Sequence, residues 1–268
     1  MRMFLEEKKI RLLKSVLAAR EEADLSSFLS PHALSPTPVN DPFPHIVIDD
    51  CFSPSAYAKL EALFKNELLR GVQPSSKGRD KFHSFDIDYD GYKFVPKAAG
   101  DAYEPLYPFF SIAWNLLFSK AFDQLSSLET SVALHHHPPG DRTGFVHHDF
   151  APKYFDTRIR LPNKVIPYDI DRGAASGTAL AHVRTSMRVI ALIFYVANPT
   201  WKEGDGGETG LYAPDGKTCI SKIAPVNNRL LAFQISKRSM HAFQGNRAQR
   251  NSIVQWFHLS QELTKERS

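Results

Sequence analysis

MRVIALIFYV, residues 187–196, leads into the chain's longest uninterrupted apolar run, the nine residues from Val189 to Ala197. That is too short to cross a bilayer as a helix, which takes about 20 residues. Its β-branched and aromatic side chains predict a strand. The same texture recurs on both sides of it, in SVALHHH (131–137), TGLYA (209–213), TCISKIA (218–224), RLLAFQIS (229–236) and NSIVQWFHL (251–259). Clusters of Pro, Gly, Asp and Asn separate these segments, as turns require. Further upstream, HIVIDD (45–50) reads as a strand. Ser53 then caps a helix with Pro54 in its first turn, running to about Arg70. A second long helix is predicted over about Tyr107 to Leu128. Helices first and strands afterwards predict a mainly β fold with supporting helices (α+β), an antiparallel sandwich or open barrel braced by helices on one face.

The chain has 268 residues, 43% of them hydrophobic and 23% charged, enough for one large core. A net charge of +4 is too mild to argue for nucleic acid. Glu6, Glu7, Lys8 and Lys9 break up what would have to be the apolar stretch of a signal peptide, and no segment reads as a membrane partner. Cys51 and Cys219 lie far apart and outside any CxxC. This excludes a disulfide scaffold and a thiolate zinc site, fits a reducing compartment, and sets a cytoplasmic location as the expectation. Residues 3–22 read as a charged amphipathic helix. Pro31, Pro36, Pro38, Pro42 and Pro44 mark a linker after it. The expected division is a helical extension and Pro-rich linker over 1–40 and a main domain over 41–268, with an insertion at 151–186.

Several common motifs fail. Gly216-Lys217-Thr218 ends like a phosphate-binding loop, but Leu211 occupies the first Gly position and strands flank the segment. GxSxG and HExxH are absent. In His135-His136-His137 the middle ring faces away from its neighbours on a strand, which reads as a polar strand end near a cleft. Trp201 and Trp256 read as core, and Gly206-Gly207-Glu208 as a turn without a metal ligand.

His147-His148-Asp149 is different: on an extended segment, His147 and Asp149 project to the same side and can grip one metal ion together. A third ligand must come from another strand. His241, in a short segment between two strong strands, is the best candidate. Two histidines and a carboxylate on one face of an octahedral ion, with three positions open, are diagnostic of non-haem Fe(II) oxygenases. Nine residues on, Arg250 and Ser252 share one face of the last strand. A guanidinium holds a carboxylate bidentately, and the hydroxyl adds a further hydrogen bond. This suits the far carboxylate of 2-oxoglutarate.

PGDRTGFVHHD (139–149), RVIALIFYVANPTW (188–201), GDGGETGLYAP (204–214), NRLLAFQISKRSMHAF (228–243) and RNSIVQWF (250–257) follow the order and approximate spacing of a known family. In these segments the chain resembles the Fe(II)/2-oxoglutarate-dependent dioxygenases, prolyl-4-hydroxylase-like branch. The resemblance implies a double-stranded β-helix (jelly roll) with iron held by His147, Asp149 and His241. It also implies 2-oxoglutarate anchored by Arg250 together with Tyr195, with O2 as co-reactant, and it admits ascorbate. There are departures from the family. His136-His137-Pro138 stands where a tyrosine often precedes the Pro-Gly turn, so His137 is a candidate substitute. Phe145 replaces a common tyrosine, and the insertion is longer than in simple prolyl hydroxylases.

The expected activity is hydroxylation of an unactivated C–H bond, with no catalytic residue beyond the metal ligands. The insertion, with Lys153, Arg158, Arg160, Lys164, Arg172 and Arg184, points to a lid over a small polar anionic substrate, clamped by Arg158, Arg160 or Arg184. The alternative is a prolyl or other side chain of a peptide or protein. A rival of another class is a non-catalytic jelly-roll binding module.

Overall fold

The strand expected over residues 187–196 forms, and the alternation of its side chains organises the whole molecule. Ile190, Leu192 and Phe194 pack into one hydrophobic core, whereas Ala191, Ile193 and Tyr195 pack into another. The computed structural model describes residues 25–85, 90–96, 101–127, 129–156 and 183–260. The amphipathic helix expected over 3–22 and the tip of the insertion, 157–182, lie outside them.

The larger sheet comprises β1 (His45–Ile48), β2 (Val72–Gln73), β3 (Phe82–Ser84), β4 (Tyr92–Phe94), β5 (Thr130–His137), β6 (Pro152–Asp156), β7 (Val183–Tyr195), β10 (Leu230–Gln234) and β12 (Arg250–Ser260). Its order is β1-β10-β7-β12-β5-β4-β3-β2, with β6 also paired to β7. The smaller sheet is β11 (His241–Phe243), β8 (Thr209–Tyr212) and β9 (Cys219–Ile223), in that order. All pairings are antiparallel except β2 with β3. Leu211 and Ile223 of the smaller sheet share a core with Ala191, Ile193, Tyr195, Leu231, Phe233 and Val254 of the larger one. This is a double-stranded β-helix, a jelly roll of two sheets packed face to face.

The outer face of the larger sheet is covered by helices. In α1 (Pro54–Leu69) the Ser53 hydroxyl accepts from the Ala56 N–H at 3.4 Å and Pro54 fits the first turn. Ala56, Leu60, Leu63 and Phe64 recur at helical spacing and are buried. The single helix expected over 107–128 is instead two, α2 (Tyr107–Phe110) and α3 (Ile112–Ala121). Ser111 is extended (φ −82°, ψ 150°), and its hydroxyl accepts from the Trp114 N–H at 3.1 Å, so it starts a new helix. Asp123, at φ 47°, turns the chain after α3, and the Ser127 N–H then donates to the His258 carbonyl beside β12.

Two boundaries differ from expectation. The Pro-rich stretch is packed onto the domain: Leu25, Leu29 and Ala33 are buried in the same core as α1, and Val39 bridges His45. The described part of the extension thus belongs to the main core. The insertion is rooted as a hairpin, with Pro152 to Asp156 pairing Met187 to Val183. Its ends extend the larger sheet instead of forming a loop from residue 151. Among the described residues no helix is long and apolar enough to cross a membrane.

Candidate functional site

His147 bridges His241 at the edge of the smaller sheet, the two exchanging backbone hydrogen bonds of 3.0 and 2.9 Å. Asp149 follows on the same side, while His148 between them is exposed, as the period of two requires. The Asp149 carboxylate lies 3.8 Å from the Nε2 of His147 and 3.8 Å from that of His241. The three donor atoms lie within 4.8 Å of one another. Each histidine places its Nδ1 against a carbonyl oxygen, Phe145 at 2.9 Å and Ser239 at 3.1 Å. A carbonyl only accepts, so Nδ1 carries the proton and the Nε2 lone pair is left for a metal. The expected ligand set is therefore brought together. Its two imidazoles, one carboxylate and outer hydrogen bonds fit a first-row divalent ion.

Two further residues hold Asp149. The Trp256 Nε1–H donates to Oδ2 at 2.6 Å, and Arg188 Nη1 lies 3.4 Å from Oδ1. The Arg188 guanidinium also stacks over the Trp256 ring, 4.2 Å from its centroid. Burial alone would raise the Asp149 carboxyl, but His241, Arg188 and His147 beside it and the Trp256 N–H bring it down to about 2. Burial, opposed by Asp149, pushes His241 down to about 4. At neutral pH the carboxylate is charged and the imidazole neutral, the states a metal needs.

Trp256 was expected to be core only, yet Arg250, Ser252, Val254 and Trp256 alternate along β12, so its inward direction was readable. Arg188 was not readable. Phe257 pairs Ile190 and His258 pairs Arg188, so Val189 is an extra residue that shifts Arg188 onto the inner face. Trp256→Phe keeps a ring for Arg188 and removes the N–H. Metal affinity should fall by roughly 10–100-fold, the range for lost outer-shell partners. Titration of the purified variant with Mn(II) checks this.

Arg250, Ser252 and Tyr195 also come together. Arg250 is buried, with Nη1 3.0 Å from the Ser252 hydroxyl and Nη2 3.4 Å from that of Thr209. The Tyr195 hydroxyl lies 2.7 Å from Thr209 Oγ1. Rings of Tyr195 and Phe243 flank the guanidinium at 5.2 and 5.5 Å. Arg250 Nε is buried without a hydrogen-bond partner, and no carboxylate pairs with this guanidinium among the described residues. A buried cation is costly unless paired, so the pocket is built for an anion. Gly207, at φ +79°, makes room: a Cβ there would sit 3.2 Å from Arg250 Cβ and Cγ. Thr209, which opens β8, was not anticipated.

The remaining expected residues are less central. Arg184 pairs through Nη1 with buried Glu129 at 2.7 Å. Arg158 and Arg160 lie outside the described residues. His137 is buried on the inner face opposite Arg250. Glu208 lies outside the metal cluster and accepts at its backbone carbonyl from the Gln244 N–H.

Residues 174–258 match the family model of the 2OG-Fe(II) oxygenase superfamily. The match includes His241 and Arg250, and the structure adds His147 and Asp149 to them. No curated protein sequence matches the chain. Among solved structures the chain is similar to a prolyl-4-hydroxylase of Pseudomonas putida, at 16% identity over 91% of this chain and 98% of that one (TM-score 0.50). It is also similar to a prolyl hydroxylase of Trichoplax adhaerens in complex with a hypoxia inducible factor oxygen degradation domain peptide, at 14% identity over 98% and 96% (TM-score 0.53). At these identities the likeness is one of fold. The family match over residues 174–258, the jelly roll and the His147–Asp149–His241 cluster agree with one another, and each is similar to what the 2OG-Fe(II) oxygenase superfamily carries.

Proposed function

We propose that the protein hydroxylates an unactivated C–H bond of a residue carried on a peptide or protein, with prolyl as the first side chain to test. Iron held by His147, Asp149 and His241 would supply the reduction of dioxygen, one oxygen atom going to succinate as 2-oxoglutarate loses CO2 and the other to the substrate. Arg250, with Ser252 and Thr209, would hold the far carboxylate of 2-oxoglutarate. Ile193, Leu211 and Phe233 supply the dry walls between the sheets that keep water from the reaction. The intact ligand set and anion pocket speak against a non-catalytic module.

The observation that carries the substrate class is the open rim of the metal cluster. The His147 side chain is 31% exposed, and Phe145, its ring 4.9 Å from that of His147, is 55% exposed. An extended chain can reach the metal there, and both structural neighbours are prolyl hydroxylases, one of them in complex with a peptide. The small anionic substrate expected from the insertion draws less support, because Arg184, its one described clamp, pairs with Glu129. A cytoplasmic location remains part of the proposal, supported by two free cysteines, Cys51 and Cys219.

Incubation with proline-bearing peptides, Fe(II), 2-oxoglutarate and O2 should give a peptide carrying one added oxygen, in step with succinate. Full coupling to a small carboxylate metabolite, with no peptide oxidised, would restore the metabolite reading.

A further inference from the structure

His137 stands directly opposite Arg250 in the β5–β12 pairing, on the same inner face. Its ring lies flat on Phe243, with centroids 4.1 Å apart, and Phe243 also flanks the Arg250 guanidinium. His137 Nδ1 is 3.0 Å from Asp141 Oδ2. The ring is wedged from behind: a Cβ on Gly91 would come within 2.6 Å of Nδ1. Neighbouring Asp90 is already committed, its carboxylate taking the Arg142 backbone N–H at 2.9 Å and side-chain N–H groups at 2.8 and 2.9 Å. A buried imidazole and a carboxyl thus share a hydrogen bond beside the anion pocket.

We propose that binding of 2-oxoglutarate is coupled to uptake of a proton by the His137–Asp141 pair, which makes the pair a proton-bearing wall of the cosubstrate pocket. The inference rests on reading the Arg250 pocket as the cosubstrate site. The charged and titratable groups around His137 are Arg250 on β12, His135 on the same face of its own strand, His136 next to it on the opposite face, Asp141 after it, and Asp90 beside Gly91. Without an anion in the pocket, burial, then Arg250 and His136, hold the imidazole well below its usual range. Burial and Asp90 raise the Asp141 carboxyl to about 6. At pH 7 the pair is therefore mainly a neutral imidazole facing a carboxylate.

A dicarboxylate seated on Arg250 neutralises the charge that repels an imidazolium and adds negative charge in a low-dielectric space. The bound state then favours His137 with both ring nitrogens protonated, between the Asp141 carboxylate and the anion. The proton comes from solvent and no other bond changes. The sign follows: a complex that binds more protons than the free protein loses affinity as pH rises, by up to about tenfold per pH unit between the two titrations. That window opens near pH 6, where Asp141 titrates.

The test is calorimetric titration of the anaerobic Fe(II) holoenzyme with 2-oxoglutarate at pH 7, in buffers of different ionisation enthalpy, with Kd measured from pH 6 to 8. The expected result is net proton uptake of up to one per site and a Kd that rises with pH. Asp141→Asn and His137→Gln should still bind 2-oxoglutarate but lose the uptake, whereas His135→Gln should keep it. Binding without uptake in the unmodified protein, or uptake unchanged in both variants, overturns the coupling and leaves the cosubstrate site standing. Failure to bind 2-oxoglutarate at all overturns the site and the coupling together. Should either variant misfold, the buffer dependence of the unmodified protein decides.

Discussion

Asp149→Ala is expected to abolish iron-dependent turnover of 2-oxoglutarate, by more than the roughly 100-fold typical of losing an outer-shell partner. Asp149 is the one anionic donor between two imidazoles, and both of its oxygens are already oriented, one by Trp256 and one by Arg188. Its removal deletes a ligand and leaves the half-buried Trp256 N–H and Arg188 guanidinium without that acceptor. Asp149→Asn serves as the second variant, since it keeps shape and some hydrogen bonding while losing the charge. Both should show the loss in metal content as well as in succinate formation. Unchanged metal content in both would remove Asp149 from the cluster.

Arg250→Ala should weaken 2-oxoglutarate binding by about 2–5 kcal/mol, the cost of stranding a buried charge without its partner. That corresponds to roughly 30-fold to several thousand-fold in Kd. Ser252 and Thr209 alone cannot replace a cation, because neutral hydroxyls give about half the strength of charge-assisted bonds. Arg250→Lys should recover only part of the loss, since an ammonium restores charge without the planar fork. Iron content should hardly change, because Arg250 contacts none of the three metal ligands. Equilibrium binding of 2-oxoglutarate to the Mn(II)-loaded variants measures the effect, and an unchanged Kd for Arg250→Ala would take the cosubstrate elsewhere.

Most of the site was legible because strands impose a period of two. His147 with Asp149 and Arg250 with Ser252 needed only that rule, and the same rule extended along β12 would have reached Trp256. Arg188 was hidden by the single extra residue at Val189, since one bulge turns every later side chain to the other face. Thr209 was hidden because a Thr at a strand start has many neutral uses, and only the Tyr195 hydroxyl shows its direction. The outer helices were read from their apolar content, but the break at Ser111 depends on a local cap that competes with helix continuation. Prolines at 31–44 signalled a chain that cannot be helical throughout. They said nothing about Leu25, Leu29 and Ala33 being buried beside it. The long insertion concealed a strand pair because β6 is short and finds its partner 27 residues on, where the spacing carries no local signal.

Release of succinate from 2-oxoglutarate by the purified protein, measured with and without ferrous iron, tests the central claim most directly. Succinate should require Fe(II) and O2, be lost in the Asp149 and Arg250 variants, and need a raised 2-oxoglutarate concentration to return in Arg250→Lys. Succinate formed equally well without iron, or by Asp149→Ala at the unmodified rate, would contradict that claim.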